Sequence, residues 1–313
     1  MNQHSPLRSA SLIERAAELY GFTPAPVRPV AQPQPQPQPR PEPKPEAAPA
    51  PRVEAAPAPR PKPQPKAIPA QAQVRIDRAR LRDQALIEPE APVGALAEEF
   101  RIVKRQLLLN VRSATDLPDA KRRTLLVASA EPDEGKSFCA MNLALSLAGE
   151  KDCEVLLVDG DFPKPELFQT LGLEPGRGLV DALADPSIDP ESLVVRTDLP
   201  GLSLLAAGRR VDNVTELLAS ERTGDVLARL AEAAPRRIIL FDSPPALMAS
   251  PATVLAAHAG QLLMVVRADQ TKESDLREAL DLLSACERVS LVLNGAALSA
   301  GGRRFGTYYG YGT

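Results

Sequence analysis

The 313-residue chain sets 37 Lys and Arg against 40 Asp and Glu, a formal net charge of −3, and it has no tryptophan and 4% aromatic residues, a balance that excludes a nucleic-acid surface. Two histidines, His4 and His258, rule out a histidine-built metal centre. Three scattered cysteines, Cys139, Cys153 and Cys286, have neither metal nor disulfide spacing and read as buried reduced thiols.

In chain order, residues 1–23 come first as a short amphipathic helix, in which Leu12, Ile13, Ala16, Leu19 and Tyr20 share one face suited to docking on a partner. Residues 24–92 follow as a Pro-rich linker; 18 of the 33 prolines lie between Pro24 and Pro69. So little apolar surface cannot offset the entropy of ordering, and the tract reads as a disordered, polyproline-like spacer.

From Val93 to residue 300 apolar strands alternate with amphipathic helices, which predicts an α/β fold with a doubly wound, mostly parallel sheet. The strands are expected at Thr124–Ser129, Glu154–Val158, Leu202–Ala206, Ile238–Phe241, Gln261–Val266 and Ser290–Leu293. Residues 301–313 form a glycine-rich tail in which Tyr308, Tyr309 and Tyr311 stand together. No run reaches the roughly 18 apolar residues of a membrane helix, and the N-terminus lacks a signal peptide's apolar core, so a cytoplasmic chain is expected.

Three strand ends carry the chemistry. After the first strand comes Pro132-Asp133-Glu134-Gly135-Lys136-Ser137-Phe138, the order of a P-loop, although Ala130 stands where that pattern has its first glycine. In such a loop backbone N–H groups and a helix N-terminus surround phosphates, a lysine adds positive charge, and a serine hydroxyl ligates magnesium. Lys136 and Ser137 are the candidates for those two roles. The second strand ends in Asp159 and Asp161, two residues apart and on one side of an extended chain; the strand within Arg236–Pro245 ends in Asp242 before two prolines. Parallel strands deliver their C-terminal residues to one edge, so the three motifs converge on a nucleotide site.

These residues resemble the bacterial tyrosine autokinases of capsule and exopolysaccharide synthesis, relatives of the deviant Walker A partitioning ATPases. The resemblance runs from about Ala95 to Thr313 and rests on the P-loop, on Asp159-Gly160-Asp161, on Asp242-Ser243-Pro244-Pro245, and on Asn213–Leu218, where Val214 replaces a proline. Glu131 stands where the partitioning ATPases have their signature lysine, which favours the kinase branch. Asp133 replaces a usual glycine, and Lys164 stands near the place of an arginine.

The resemblance implies ATP and Mg²⁺ as cofactors, with Ser137, Asp161 and Asp242 on the metal, Asp159 orienting and deprotonating a tyrosine, and Asn294 contacting adenine. It implies autophosphorylation of Tyr308, Tyr309 and Tyr311 in trans within a homo-oligomer, assembled as a ring through Glu98, Arg101 and Lys104. A solvated helix face with i,i+3 charge pairs explains those three residues equally well. It also implies a separate membrane-spanning chain-length regulator that recruits the chain to the inner membrane face, and the long Pro-rich extension particularly resembles exosortase-associated kinases. Two alternatives stay open: a non-kinase ATPase acting as an assembly or positioning switch, and a scaffold with an inactive P-loop.

Overall fold

The structure, a computed structural model, describes residues 73–296. The N-terminal helix, the Pro-rich tract up to residue 72 and the tyrosine tail lie outside the described residues. Seven strands form one sheet: β1 Thr124–Ser129, β2 Glu154–Asp159, β3 Val195–Arg196, β4 Leu202–Leu205, β5 Arg237–Asp242, β6 Gln261–Arg267 and β7 Val289–Asn294. Their order is β3-β4-β2-β5-β1-β6-β7, and only the β3–β4 pair is antiparallel. The six expected strands are present within a residue or so at each end; β3, two residues long, gives no sequence signal.

Both faces of the sheet are covered, which is why its central strands read as unbroken apolar runs rather than alternating ones. Leu125, Val127, Val155, Leu157 and Leu240 face one core, with Phe100, Leu107 and Val111 of α2 (Ala95–Ser113) and the inner side of α4 (Lys136–Ala148). Leu126, Ala128, Leu156, Val158 and Phe241 face the other. That second core is closed by α6 (Leu179–Ala184), α7 (Val214–Ala219), α8 (Glu221–Ala233), α9 (Pro251–His258) and α10 (Glu273–Leu282). Two short helices, α3 (Asp119–Arg122) and α5 (Leu167–Thr170), complete the layers. Cys139, Cys153 and Cys286 are free and buried, and burial pushes the Cys139 thiol up to about 12 and that of Cys153 to about 11.

The linker does not extend to residue 92. Val74 bridges Thr197, α1 (Arg78–Asp83) is capped by Asp77, whose carboxylate accepts the Ala79 N–H at 2.8 Å, and Ile76, Leu81 and Leu86 are buried in the first core. Ile76 N–H donates to Asp198 at 3.0 Å, and Ile87 N–H to Asn142 on α4 at 2.8 Å. Three large apolar side chains spaced five apart, with these hydrogen bonds, offset part of the ordering entropy, which the proline tract before them has nothing comparable to oppose.

Candidate active site

The site forms where β1, β2 and β5 end side by side. Register places Asp159 opposite Asp242 and Val127 opposite Asp242, so the P-loop and both acidic motifs leave the sheet at one level. Gly135 takes φ 92° at the N-terminus of α4, and Asp133 takes φ 62°, a left-handed conformation that Asp tolerates better than most residues and glycine adopts freely. Asp133 is exposed; the Lys164 ammonium pKa is raised first by Glu166, with which it pairs at 3.1 Å, and to a lesser degree by the charges of Asp133 and Asp161.

Lys136 Nζ lies 2.8 Å from Asp161 Oδ2, and Lys164 N–H donates to Asp161 Oδ1 at 3.2 Å. Gly160 separates the two carboxylates of its motif for a steric reason: its N–H donates to the Asp242 carbonyl at 2.8 Å, and a Cβ there would stand 2.8 Å from that same oxygen. Asp159 ends β2, whereas Asp161 lies beyond the strand in the turn, so the two carboxylates do not share one side of an extended chain. Asp159 Oδ2 accepts the Leu167 N–H at 3.3 Å while Asp161 turns to the lysine.

Asp159 and Asp242 are both 2% exposed, and one Oδ1 on each has no hydrogen-bond partner. Burial, and next the Asp242 charge, pushes the Asp159 carboxyl up to about 7. Burial likewise lifts Asp242 to about 6, with the Lys136 charge and a hydrogen bond from Ser137 holding it lower than burial alone would. Among the described residues no three His, Cys, Asp or Glu side chains make a ready-built metal cluster. Magnesium is commonly held by one or two carboxylates together with water and phosphate oxygens, so the unpartnered Asp242 oxygen beside Asp161 and Ser137 fits such an ion with a phosphate ligand.

A cavity of about 470 Å³ opens here, lined by Lys136, Ser137, Asp161 and Asp242 together with Pro132, Pro163 and Met248, while Asp159 lies beneath rather than in its lining. Phe138 lines it and packs on the first core. A larger cleft of about 610 Å³ lies at the opposite end of the sheet, beside Lys151, Arg196 and Arg236, and has no paired strand-end carboxylates. We take the smaller cavity as the site because three motifs meet there.

Two expected residues sit differently. Asn294 Nδ2 donates to the Glu134 carbonyl at 2.9 Å, and a Cβ on Gly135 would overlap it at 2.1 Å, so Asn294 braces the P-loop backbone. Lys104 is turned inward: its ammonium donates to the Ser146 carbonyl at 2.8 Å and pairs with Glu150 at 2.7 Å, while Glu98 and Arg101 pair with each other. The cause is the helix period, which puts position 104 on the buried face with Phe100 and Leu107. Of the three residues assigned to ring assembly, Lys104 is already spent within the fold. Missing from the sequence reading were Thr271 and its hydrogen bond to the side chain of the P-loop's Glu134, across 137 positions. No local pattern signals a pair so distant.

A doubly wound parallel sheet with a lysine-bearing loop and two acidic strand ends at one edge defines a P-loop nucleotide-binding protein. No protein-family model matches the chain. The chain is 31% identical over 233 residues to the tyrosine-protein kinase wzc of Salmonella typhimurium, covering 74% of this chain and 31% of that one. It is 28% identical to the tyrosine-protein kinase YwqD of Bacillus subtilis, covering 77% and 96%. The solved BceF tyrosine kinase domain is 28% identical, with a TM-score of 0.53, over 62% of this chain and 76% of that one. The chain belongs to the bacterial tyrosine-kinase family. It spans under a third of the length of the first curated relatives it matches, and nearly all of YwqD.

Proposed function

We propose that this chain is an ATP- and magnesium-dependent protein-tyrosine autokinase acting in exopolysaccharide synthesis. The observation that carries the reading is the Lys136–Asp161 pair set against the two buried, incompletely partnered carboxyls of Asp159 and Asp242. Phosphoryl transfer asks a protein mainly for positioning and for neutralising charge, and this constellation has the groups for both.

Lys136 would leave Asp161 to hold the β- and γ-phosphates, with the N–H groups from Asp133 to Phe138 around them. Ser137, Asp161 and Asp242 would hold magnesium, which supplies Lewis-acid charge at the phosphates. Asp159, with a carboxyl that titrates near neutrality, would orient the tyrosine hydroxyl and take its proton. The acceptors would be Tyr308, Tyr309 and Tyr311 of a neighbouring copy, outside the described residues. Asn294 would reach adenine only if its bond to Glu134 opened.

Among the described residues no helix is long and apolar enough to cross a membrane. We assign the chain to the cytoplasm, recruited to the inner membrane face by a separate membrane-spanning partner. Homo-oligomer contacts on α2 would use Glu98 and Arg101, with Lys104 left in its internal pair.

The test is incubation of purified protein with Mg·ATP and mass mapping of the C-terminal peptide, beside Lys136→Met. Phosphate on the tail tyrosines of the wild type, reduced at least about a hundredfold in the variant at unchanged folding, is the expected outcome. ATP hydrolysis with an unmodified tail, even with the partner's cytoplasmic segment added, would replace the kinase reading with the assembly switch.

A further inference from the structure

The P-loop contains a buried carboxylate, and its bonds lead away from the site. Glu134 lies between two left-handed residues, Asp133 at φ 62° and Gly135 at φ 92°, yet its side chain is only 3% exposed. One oxygen, Oε2, accepts the N–H of Glu131 at 3.0 Å and so closes the turn on itself. The other, Oε1, accepts the hydroxyl of Thr271, in the loop between β6 and α10.

Thr271 is itself held at both ends. Its hydroxyl oxygen accepts the Arg267 N–H at 2.8 Å, and its own N–H donates to the Arg267 carbonyl at 3.0 Å. Asn294 adds a parallel tie, donating to the Glu134 carbonyl while its own carbonyl accepts the Ala268 N–H at 2.9 Å. The phosphate loop is thereby fastened to the ends of β6 and β7, elements that contribute no group to the acidic floor of the cavity.

Such fastening has an energetic use. Fixing one residue's backbone costs about 1–2 kcal/mol, and a loop with left-handed residues on either side of Glu134 does not hold its shape unaided. A loop already held in shape spares the ligand that ordering cost. We propose that Glu134 and Thr271 form a positioning clamp that presets the P-loop for phosphate, so that nucleotide affinity is set partly from the β6–α10 loop. The clamp rests on the reading above only in that phosphate is the ligand of this loop.

The test uses full-length protein with Thr271→Val, Thr271→Ser, Glu134→Ala and the Glu134→Ala/Thr271→Val double variant. Five quantities are read: the Kd of Mg·ATP, the KM and kcat of ATP turnover, melting without nucleotide, and amide hydrogen exchange of residues 131–135 without nucleotide. Losing a hydrogen bond to a carboxylate should weaken Mg·ATP binding about tenfold in Thr271→Val and raise KM more than it lowers kcat. Thr271→Ser should restore wild-type affinity, and the double variant should bind no worse than Glu134→Ala, because the Glu134–Thr271 bond is already absent once Glu134 is replaced. Exchange at 131–135 should accelerate in Thr271→Val and not in Thr271→Ser.

A lowered melting temperature in Thr271→Val with wild-type Kd and wild-type exchange would reduce the contact to a structural one and overturn the clamp. Additive losses in the double variant would overturn it too. Should the wild type bind no Mg·ATP, the nucleotide reading fails, while the exchange measurement still decides whether the clamp holds the loop. Should Thr271→Val not fold, Glu134→Ala against Thr271→Ser supplies the same comparison.

Discussion

Buried charge is treated in opposite ways at the two ends of the sheet. At the N-terminal end, the Arg123 guanidinium donates to the carbonyls of Ala231, Ala234 and Arg237, Arg237 forks onto Glu191 and reaches Leu230 O, and Lys104 meets Ser146 O and Glu150. These groups have nearly all the partners they can use; Arg123 Nε is the exception. At the C-terminal end Asp159 and Asp242 are as deeply buried, yet each keeps a free oxygen and a raised pKa. One end uses charge to hold helices onto strands, and the other buries charge without a full set of partners, as functional sites commonly do. Being buried does not distinguish the two roles; being satisfied does.

The largest effect that would sharpen this contrast is at the satisfied end. Arg237→Ala leaves the largely buried Glu191 with only the more distant Arg196 as a cation and removes the Arg237 bond to the Leu230 carbonyl, and should cost about 3 kcal/mol, a fall in melting temperature on the order of 10 °C by calorimetry. A loss under about 1 kcal/mol would break the comparison.

Asp159→Asn should act the other way. Below the ordinary carboxyl value of 3.8 the group is protonated folded or unfolded, and stability is unaffected. As pH rises toward about 7 the unfolded chain ionises freely and the folded one resists, so stability present at low pH is progressively lost. Without nucleotide or metal, the variant should therefore gain about 1–3 kcal/mol over wild type at pH 8 and less at pH 5, read from urea midpoints. Equal gains at both values would mean that ionisation is not the cause.

The smallest expected effect is at Asp133. Glycine there relieves the left-handed strain but adds unfolded-chain entropy, for a net gain of a few tenths to about 1 kcal/mol in the same urea assay. Loss of stability on this change would show that the Asp133 carboxylate stabilises the loop by more than the strain costs.

What the sequence revealed and what it hid follow from range. Strands buried on both faces announce themselves as apolar runs, and the groups at their C-terminal ends can be named without knowing their neighbours, which is why Lys136, Asp161 and Asp242 were legible. The pairing of Asp159 with Asp242, the turn of Lys104 onto Glu150 and the tie from Glu134 to Thr271 depend on register between distant segments, and no local spacing encodes it. Residues 73–92 were misread because Ile76, Leu81 and Leu86 stand among arginines directly after a tract whose composition argues for solvent.

That strap shifts where the folding unit begins. The motifs that carry the resemblance start near Ala95, but the match to YwqD covers 77% of the chain and so reaches further toward its N-terminus; a fragment cut at Ala95 would open three apolar sockets, each worth about 1.5–3 kcal/mol, and strip Asp198 of the Ile76 N–H and the Arg78 guanidinium. The autonomous piece of this chain therefore begins ahead of Val74, and a boundary drawn from the motifs alone would run through its core.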